Sequence, residues 1–318
     1  MARSAILLVA ATLALAGCAT TAPAADDGTL KIVASTNVYG SIAEAIGGDT
    51  VTVTSLITTA AQDPHSFEAS VRDQLTLSKA DLVIENGGGY DPFIDTLLEA
   101  AGTDPVVITA SEASGLLDPD HGHDLSESES GEGDDHAVEI DKDGHDHIEG
   151  FNEHVWYSLH GVVHVAESIA SELTTLDPAN AESYAANLAT FSGEISGLET
   201  SAAAIAGGDA AITEPVPLYL LEAANFTNVT PEAFSEAIEE GTDVAPATLR
   251  DTLALFADGS VQVLAYNSQT ASPETEEVRA AAEAAGVSVV EFTETLPDGS
   301  DYVSWMTDNI EALAAIAR

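Results

Sequence analysis

The chain has one cysteine, Cys18, in 318 residues, and only eight lysines and arginines against 54 aspartates and glutamates. A lone cysteine makes no internal disulfide and closes no zinc–thiolate site. So few cations leave a formal net charge of -46, a surface that repels nucleic acid and anionic headgroups and attracts cations. The same acidity suits general solubility or a saline or acidic medium, because the acids are spread along the whole chain. After residue 18 no apolar run is long enough for a transmembrane helix. Also lacking are a His-Glu-x-x-His helix, a Gly-x-Ser-x-Gly elbow and a catalytic thiol, which removes the commonest signatures of secreted hydrolases.

What is present begins with a targeting segment. Arg3 supplies a short charged start, Ile6 to Leu15 is apolar but too short to span a bilayer, and Leu15-Ala16-Gly17-Cys18 resembles a bacterial lipobox. The resemblance implies cleavage before Cys18 and lipidation at that residue, so 1–18 is read as a lipoprotein signal and 19–28 as a flexible tether. The mature chain is expected outside the cytoplasm, on the outer face of the cell membrane. It is 45% hydrophobic, enough for a substantial core, and its length suggests two domains.

Five of the nine histidines (His121, His123, His136, His145 and His147) fall in a stretch, 118–149, with thirteen acids and one lysine. Such a segment cannot form a packed core. Its mixture of imidazole and carboxylate is read as a disordered loop that captures metal ions of the zinc class.

Around it the pattern alternates. Strands at Leu30–Ser35, Val51–Ile57, Leu82–Ile84 and Val106–Ile108 are separated by helical spacings, which predicts a parallel sheet with helices on both faces. Val155–Leu173 reads as a helix. From Asp177-Pro178 to about Ala206, apolar residues recur by threes and fours at Tyr184, Leu188, Phe191, Ile195 and Leu198, which predicts one long strut. Thereafter strands at Ala211–Thr213, Val261–Tyr266 and Val287–Phe292 alternate with helices. The expected fold class is therefore α/β, two lobes of mainly parallel sheet flanked by helices, at 29–176 and 207–318, joined by one rigid helix at 177–206. Ligands of such sheets bind beyond the carboxyl ends of the strands.

Four candidate groups stand near such ends: His65 in Asp63-Pro64-His65-Ser66-Phe67-Glu68, His154 in Asn152-Glu153-His154-Val155-Trp156, Glu214 in Thr213-Glu214-Pro215, and Glu294 in Phe292-Thr293-Glu294. Asp63 is placed to orient the His65 ring. Asn267 and Gln269 follow a strand on the same side and are read as orienting a ligand or bonding across the lobes. His160 and His164 share a helical face and are read as partly exposed or capping residues; Trp156 and Trp305 are read as core.

Taken together, these motifs resemble the zinc- and manganese-binding solute-binding proteins of bacterial ABC transporters, the ZnuA/TroA-like family, over nearly the whole mature chain. Asp63-Pro64-His65 resembles its Asp-Pro-His signature. Asn152 to Trp156 is similar to its Asn-Pro-His-x-Trp motif, with Glu153 in place of proline and Ser158 in place of a usual aspartate. The resemblance implies a divalent ion held by His65, His154, Glu214 and Glu294, two ligands from each lobe, and delivered by a monomer to an ABC transporter permease. Two imidazoles with two glutamates, taken alone, lean slightly towards manganese or iron; the histidine-rich insert leans the other way and tips the expectation to zinc, with manganese the alternative. A metal-binding adhesin or buffer would use the same fold. A secreted zinc hydrolase would need an open coordination position and a general base, and all four candidates are used as ligands.

Overall fold

The computed structural model describes residues 29–62, 64–65, 67–117, 148, 150–257 and 259–316. The targeting segment with Cys18, the tether, Asp63 and the five histidines of the insert lie outside the described residues.

The first sheet is built from β1 (Leu30–Thr36), β2 (Val51–Ile57), β3 (Leu82–Glu85) and β4 (Val106–Thr109), all parallel, in the spatial order β2-β1-β3-β4. Between them run α1 (Asn37–Gly47), α2 (Val71–Leu77) and α3 (Phe93–Ala101), with the short α4 (Ala110–Ala113) after β4. Local chemistry sets the helix ends. The Ser70 hydroxyl accepts from the Asp73 N–H, and the Asp73 carboxylate accepts from the Ser70 N–H, a reciprocal cap that starts α2. Gly102 closes α3 at φ 62°, a left-handed conformation that suits glycine.

The second sheet repeats the topology. Strands β5 (Gly208–Ile212), β6 (Phe226–Asn228), β7 (Val261–Asn267) and β8 (Ser288–Phe292) lie parallel in the order β6-β5-β7-β8. They alternate with α7 (Leu218–Ala223), α8 (Glu232–Glu239), α9 (Pro246–Ala254) and α10 (Pro273–Ala285), and α11 (Tyr302–Ile316) follows β8. The sheets are connected through α5 (Leu159–Leu176) and α6 (Ala181–Ala203). At about 1.5 Å per residue, α6 is about 35 Å long.

The expected α/β class, with parallel sheets and a long connecting helix, is what the structure has. Three details differ. The second sheet has four strands rather than three, because β6 is a three-residue edge strand, too short for any periodicity to betray it, and α7 before it was missed with it. The helix expected from Val155 starts at Leu159, since the Ser158 hydroxyl accepts from the Gly161 N–H at 3.1 Å and caps it; Val155–Tyr157 is a single 3-10 turn. The strut begins with a 3-10 turn at Pro178–Asn180.

Strand periodicity sorts the core into layers. In β1 and β3, Ile32, Ala34, Leu82 and Ile84 face one way, into the largest cluster; Val83 faces the other, onto Ile94 and Leu97 of α3. In the second sheet Ala210, Ile212, Val263 and Ala265 join that same largest cluster, while Ala211, Leu264 and Tyr266 face Phe234, Ile238 and Val278. One apolar core thus runs from the first sheet through α5 and α6 into the second. The α11 helix strengthens the join: Tyr302 donates from its hydroxyl to the Trp156 carbonyl at 2.6 Å and from its N–H to Ser41 at 3.0 Å.

Candidate metal site

In each sheet the connections leave to one side after the first strand and return to the other, so a crevice opens beside the carboxyl ends of β1 and β3 and of β5 and β7. The candidate residues gather there. Ligand atoms of His65, His154 and Glu294 all lie within 4.8 Å of one another. Donors on a tetrahedral zinc stand about 3.3 Å apart, so filling this trio would contract it by no more than about 1.5 Å.

Each side chain is positioned by identifiable neighbours. His65 sits in the loop between β2 and α2, half-buried, with its ring edge-on to Tyr90 at 4.9 Å between centroids. His154 is buried, between Tyr90 (5.9 Å) and Trp156 (5.2 Å). Its Nδ1 lies 2.7 Å from the Asn152 side-chain oxygen. The Asn152 amide nitrogen donates to the Pro215 carbonyl at 3.0 Å, which fixes its oxygen toward the ring. An amide oxygen only accepts, so Nδ1 carries the proton and Nε2 is the nitrogen through which the neutral ring would ligate an ion. The same Asn152 receives the Tyr219 hydroxyl on its carbonyl at 2.9 Å, tying this loop to the second lobe.

Glu294 stands just past β8. Its Oε2 accepts from the Tyr90 hydroxyl at 3.1 Å and its Oε1 from the Asn267 amide at 2.8 Å. Its own N–H donates to Gln269 Oε1 at 2.6 Å. Glu214, just past β5, lies outside the trio but not far from it: the Asn267 amide that bonds Glu294 also bonds Glu214. Of the two residues expected to orient a ligand or to bridge the lobes, Asn267 donates to both second-lobe carboxylates and Gln269 accepts from the backbone N–H of Glu294 and Thr295. Burial of the Tyr90 phenol and then the Glu294 carboxylate hold its pKa well above the usual tyrosine range, so it stays a donor.

Sequence reasoning missed Glu239. It ends α8, and its Oε1 lies 3.7 Å from His154 Nδ1; Glu153, His154 and Glu239 bring ligand atoms within 4.8 Å of one another. Burial, then the charges of Glu153, Glu214 and Glu294, push its carboxyl well above the usual range. Glu239 falls one turn after Ser235 on a helix whose buried residues are Phe234, Ser235 and Ile238; nothing in the local sequence separates it from the other acids of the chain. Tyr90 was missed as well, hidden by the glycine run before it. Trp156 and Trp305 are buried, as expected. His160 and His164 lie on α5, outside both clusters, and are partly exposed.

Comparison with known proteins agrees with this architecture. The chain is 28% identical over 207 residues to the metal ABC transporter substrate-binding lipoprotein ScbA of Streptococcus cristatus, covering 62% of this chain and 58% of ScbA. It is 28% identical over 194 residues to the manganese-binding lipoprotein MntA of Halalkalibacterium halodurans, covering 61% and 55%. The alignments thus span a little over half the length of either relative. The periplasmic zinc-binding protein TroA from Treponema pallidum has the same fold, with TM-score 0.68 and 18% identity over 92% of this chain and all of TroA. The family model described as zinc-uptake complex component A, periplasmic, matches residues 32–316, and the chain belongs to that family, one of solute-binding uptake components and not of enzymes.

Proposed function

We propose that this chain is an extracytoplasmic binding protein that captures a divalent metal ion in the crevice and delivers it to an ABC-type import permease. The single observation that carries the reading is the convergence of His65, His154 and Glu294 from three separate connections to within 4.8 Å. Glu214 completes the ligand set, brought in by the amide it shares with Glu294. Two imidazoles and two carboxylates neutralise a divalent ion, and a low-dielectric crevice favours a neutral shell. Family membership and the metal-binding relatives support the same cargo class.

Zinc is the ion we favour, on the histidine-rich insert at 118–149 and the family description. Manganese is the second reading, carried by the oxygen-rich surroundings of Glu153, Glu214, Glu239 and Glu294. The chain acts as a monomer held at the membrane by lipid on Cys18, a reading supported by the lipobox-like Leu15-Ala16-Gly17-Cys18 and by the lipoprotein names of two relatives. Among the described residues no helix is long and apolar enough to cross a membrane.

The test is calorimetric titration of metal-stripped protein lacking residues 120–147 with zinc and with manganese. One tight site, zinc above manganese, is expected. Binding of neither ion below micromolar concentration overturns the site; binding of manganese alone overturns the choice of zinc. Labelling of expressed protein with a radioactive fatty acid, expected in the wild type and lost in Cys18→Ala, checks the anchor.

A further inference from the structure

The α5 helix carries a second arrangement of imidazoles that the crevice does not use. His160 and His164, one turn apart, face each other with ring centroids 4.7 Å apart and their Nε2 atoms 3.2 Å apart. Two nitrogens bonded to one tetrahedral zinc at about 2.0–2.1 Å stand about 3.3 Å apart. The pair already has the bite of such an ion. His164 is also oriented from behind: its Nδ1 lies 3.2 Å from a Glu167 carboxylate oxygen. A carboxylate only accepts, so Nδ1–H is its donor and the His164 Nε2 lone pair points at His160. This carboxylate–imidazole arrangement is the usual support behind a metal-bound histidine.

We propose that His160 and His164, oriented by Glu167, form a second metal site on the outer face of α5. It takes a divalent cation that prefers imidazole, such as zinc, copper or nickel, and leaves its remaining positions to water or to a donor from outside the chain. Without an ion, only one of the two facing Nε2 atoms can donate, so the pair is joined by one hydrogen bond at most; an ion uses both lone pairs. The scaffold is stiff, because the opposite face of α5 is buried through Val162, Val165, Ala166 and Ile169. The rings reach solvent, with the His164 side chain 42% exposed and that of Glu167 55% exposed, so an ion is captured with part of its water shell kept. With no carboxylate in direct contact with the ion, the pair selects differently from the crevice: copper and nickel rank at or above zinc, and manganese last.

The test is nuclear magnetic resonance of the full chain with nitrogen-labelled histidine, one equivalent of zinc being added first and then an excess that also fills the histidine-rich insert. The Nε2 resonances of His160 and His164 are expected to shift together beyond the first equivalent and to reach a common saturation. In His164→Ala the His160 resonance should no longer respond, and Glu167→Gln should weaken the pair by about tenfold, the lower bound for loss of such a support. Unchanged His160 and His164 resonances at excess zinc overturn the site, as does a His160 response that survives His164→Ala. An unaltered affinity in Glu167→Gln overturns the role given to Glu167. The crevice is judged separately, since His65 and His154 report on it in the same spectra.

Discussion

The first lobe presents its imidazoles from loops, whereas the second presents its carboxylates from the turns that end β5 and β8. His65 lies in the long connection after β2, and His154 follows the insert, ahead of a single 3-10 turn. Glu214 and Glu294 are each within two residues of a strand end, and both are held by Asn267, itself the last residue of β7. Gln269 then fixes the backbone at Glu294. The second lobe's carboxylates are therefore prearranged by side-chain amides, and the first lobe's imidazoles by aromatic packing and by the Asn152 side chain. Placing two carboxylates side by side costs repulsion, which the Asn267 amide offsets before any cation arrives.

Four substitutions test this contrast, in order of expected effect. His154→Ala removes a proposed ligand from the imidazole half. A four-ligand zinc shell is worth about 10–16 kcal/mol, so affinity should fall at least about a hundredfold, read by competition with a chromophoric chelator; an unchanged affinity removes His154 from the site. Asn267→Ala leaves all four proposed ligands in place but frees the two carboxylates, and about 10–100-fold weaker binding is expected in the same assay. If Asn267→Ala binds as tightly as wild type, the second lobe is not prearranged by that amide.

The third prediction compares strand-end acids. Glu85 ends β3 as Glu294 follows β8, but Glu85 faces Thr109 rather than the crevice. Burial pushes its carboxyl up to about 7, against a hydrogen bond from Thr109 that lowers it, with Asp91, Asp95 and Glu112 adding to the rise. A carboxyl raised in the folded state binds more protons there than when unfolded. Its contribution is full below about 4.5 and is lost as pH rises through about 7. Glu85→Gln should therefore stabilise the protein by about 2–3 kcal/mol at pH 8 and flatten the melting temperature between pH 4.5 and 7, with metal affinity unaltered. A melting curve with the same pH slope as wild type would refute it. The smallest effect is expected for Tyr302→Phe, which deletes the bond from α11 to the Trp156 carbonyl. A loss of about 1 kcal/mol is expected by denaturant titration, with the same cooperativity because the shared apolar core remains; two separate transitions would show that the lobes do not share it.

Much of this was legible in the chain. Alternating strands and helices, the Ala-rich strut and the strand-end positions of Glu214 and Glu294 all follow from local periodicity and turn chemistry, which are encoded within ten or twenty residues. His65 and His154 stood out through flanking motifs. What escaped was either too short, as with Phe226–Asn228, or marked only by its place in space. Glu239 is one glutamate among many in an acidic chain, and only the packing of α8 turns it inward. Asn152 looked like part of a motif, yet its function, to accept from Nδ1–H of His154 and hold the second lobe through Pro215 and Tyr219, depends on partners in that lobe more than sixty residues away.

The sequence by itself determined the α/β class, the helical strut, the excess of negative charge that draws cations, and the residue types from which a divalent site is made. Those properties depend on composition and on neighbours along the chain. The tertiary structure decided which of many acids enter the crevice, which nitrogen of His154 donates to Asn152, and that one core unites the two sheets. It also decided that His160 and His164 face each other at the bite of a metal ion. Such features arise from contacts between distant segments, where a shift of one turn or one register would turn the same residues toward water.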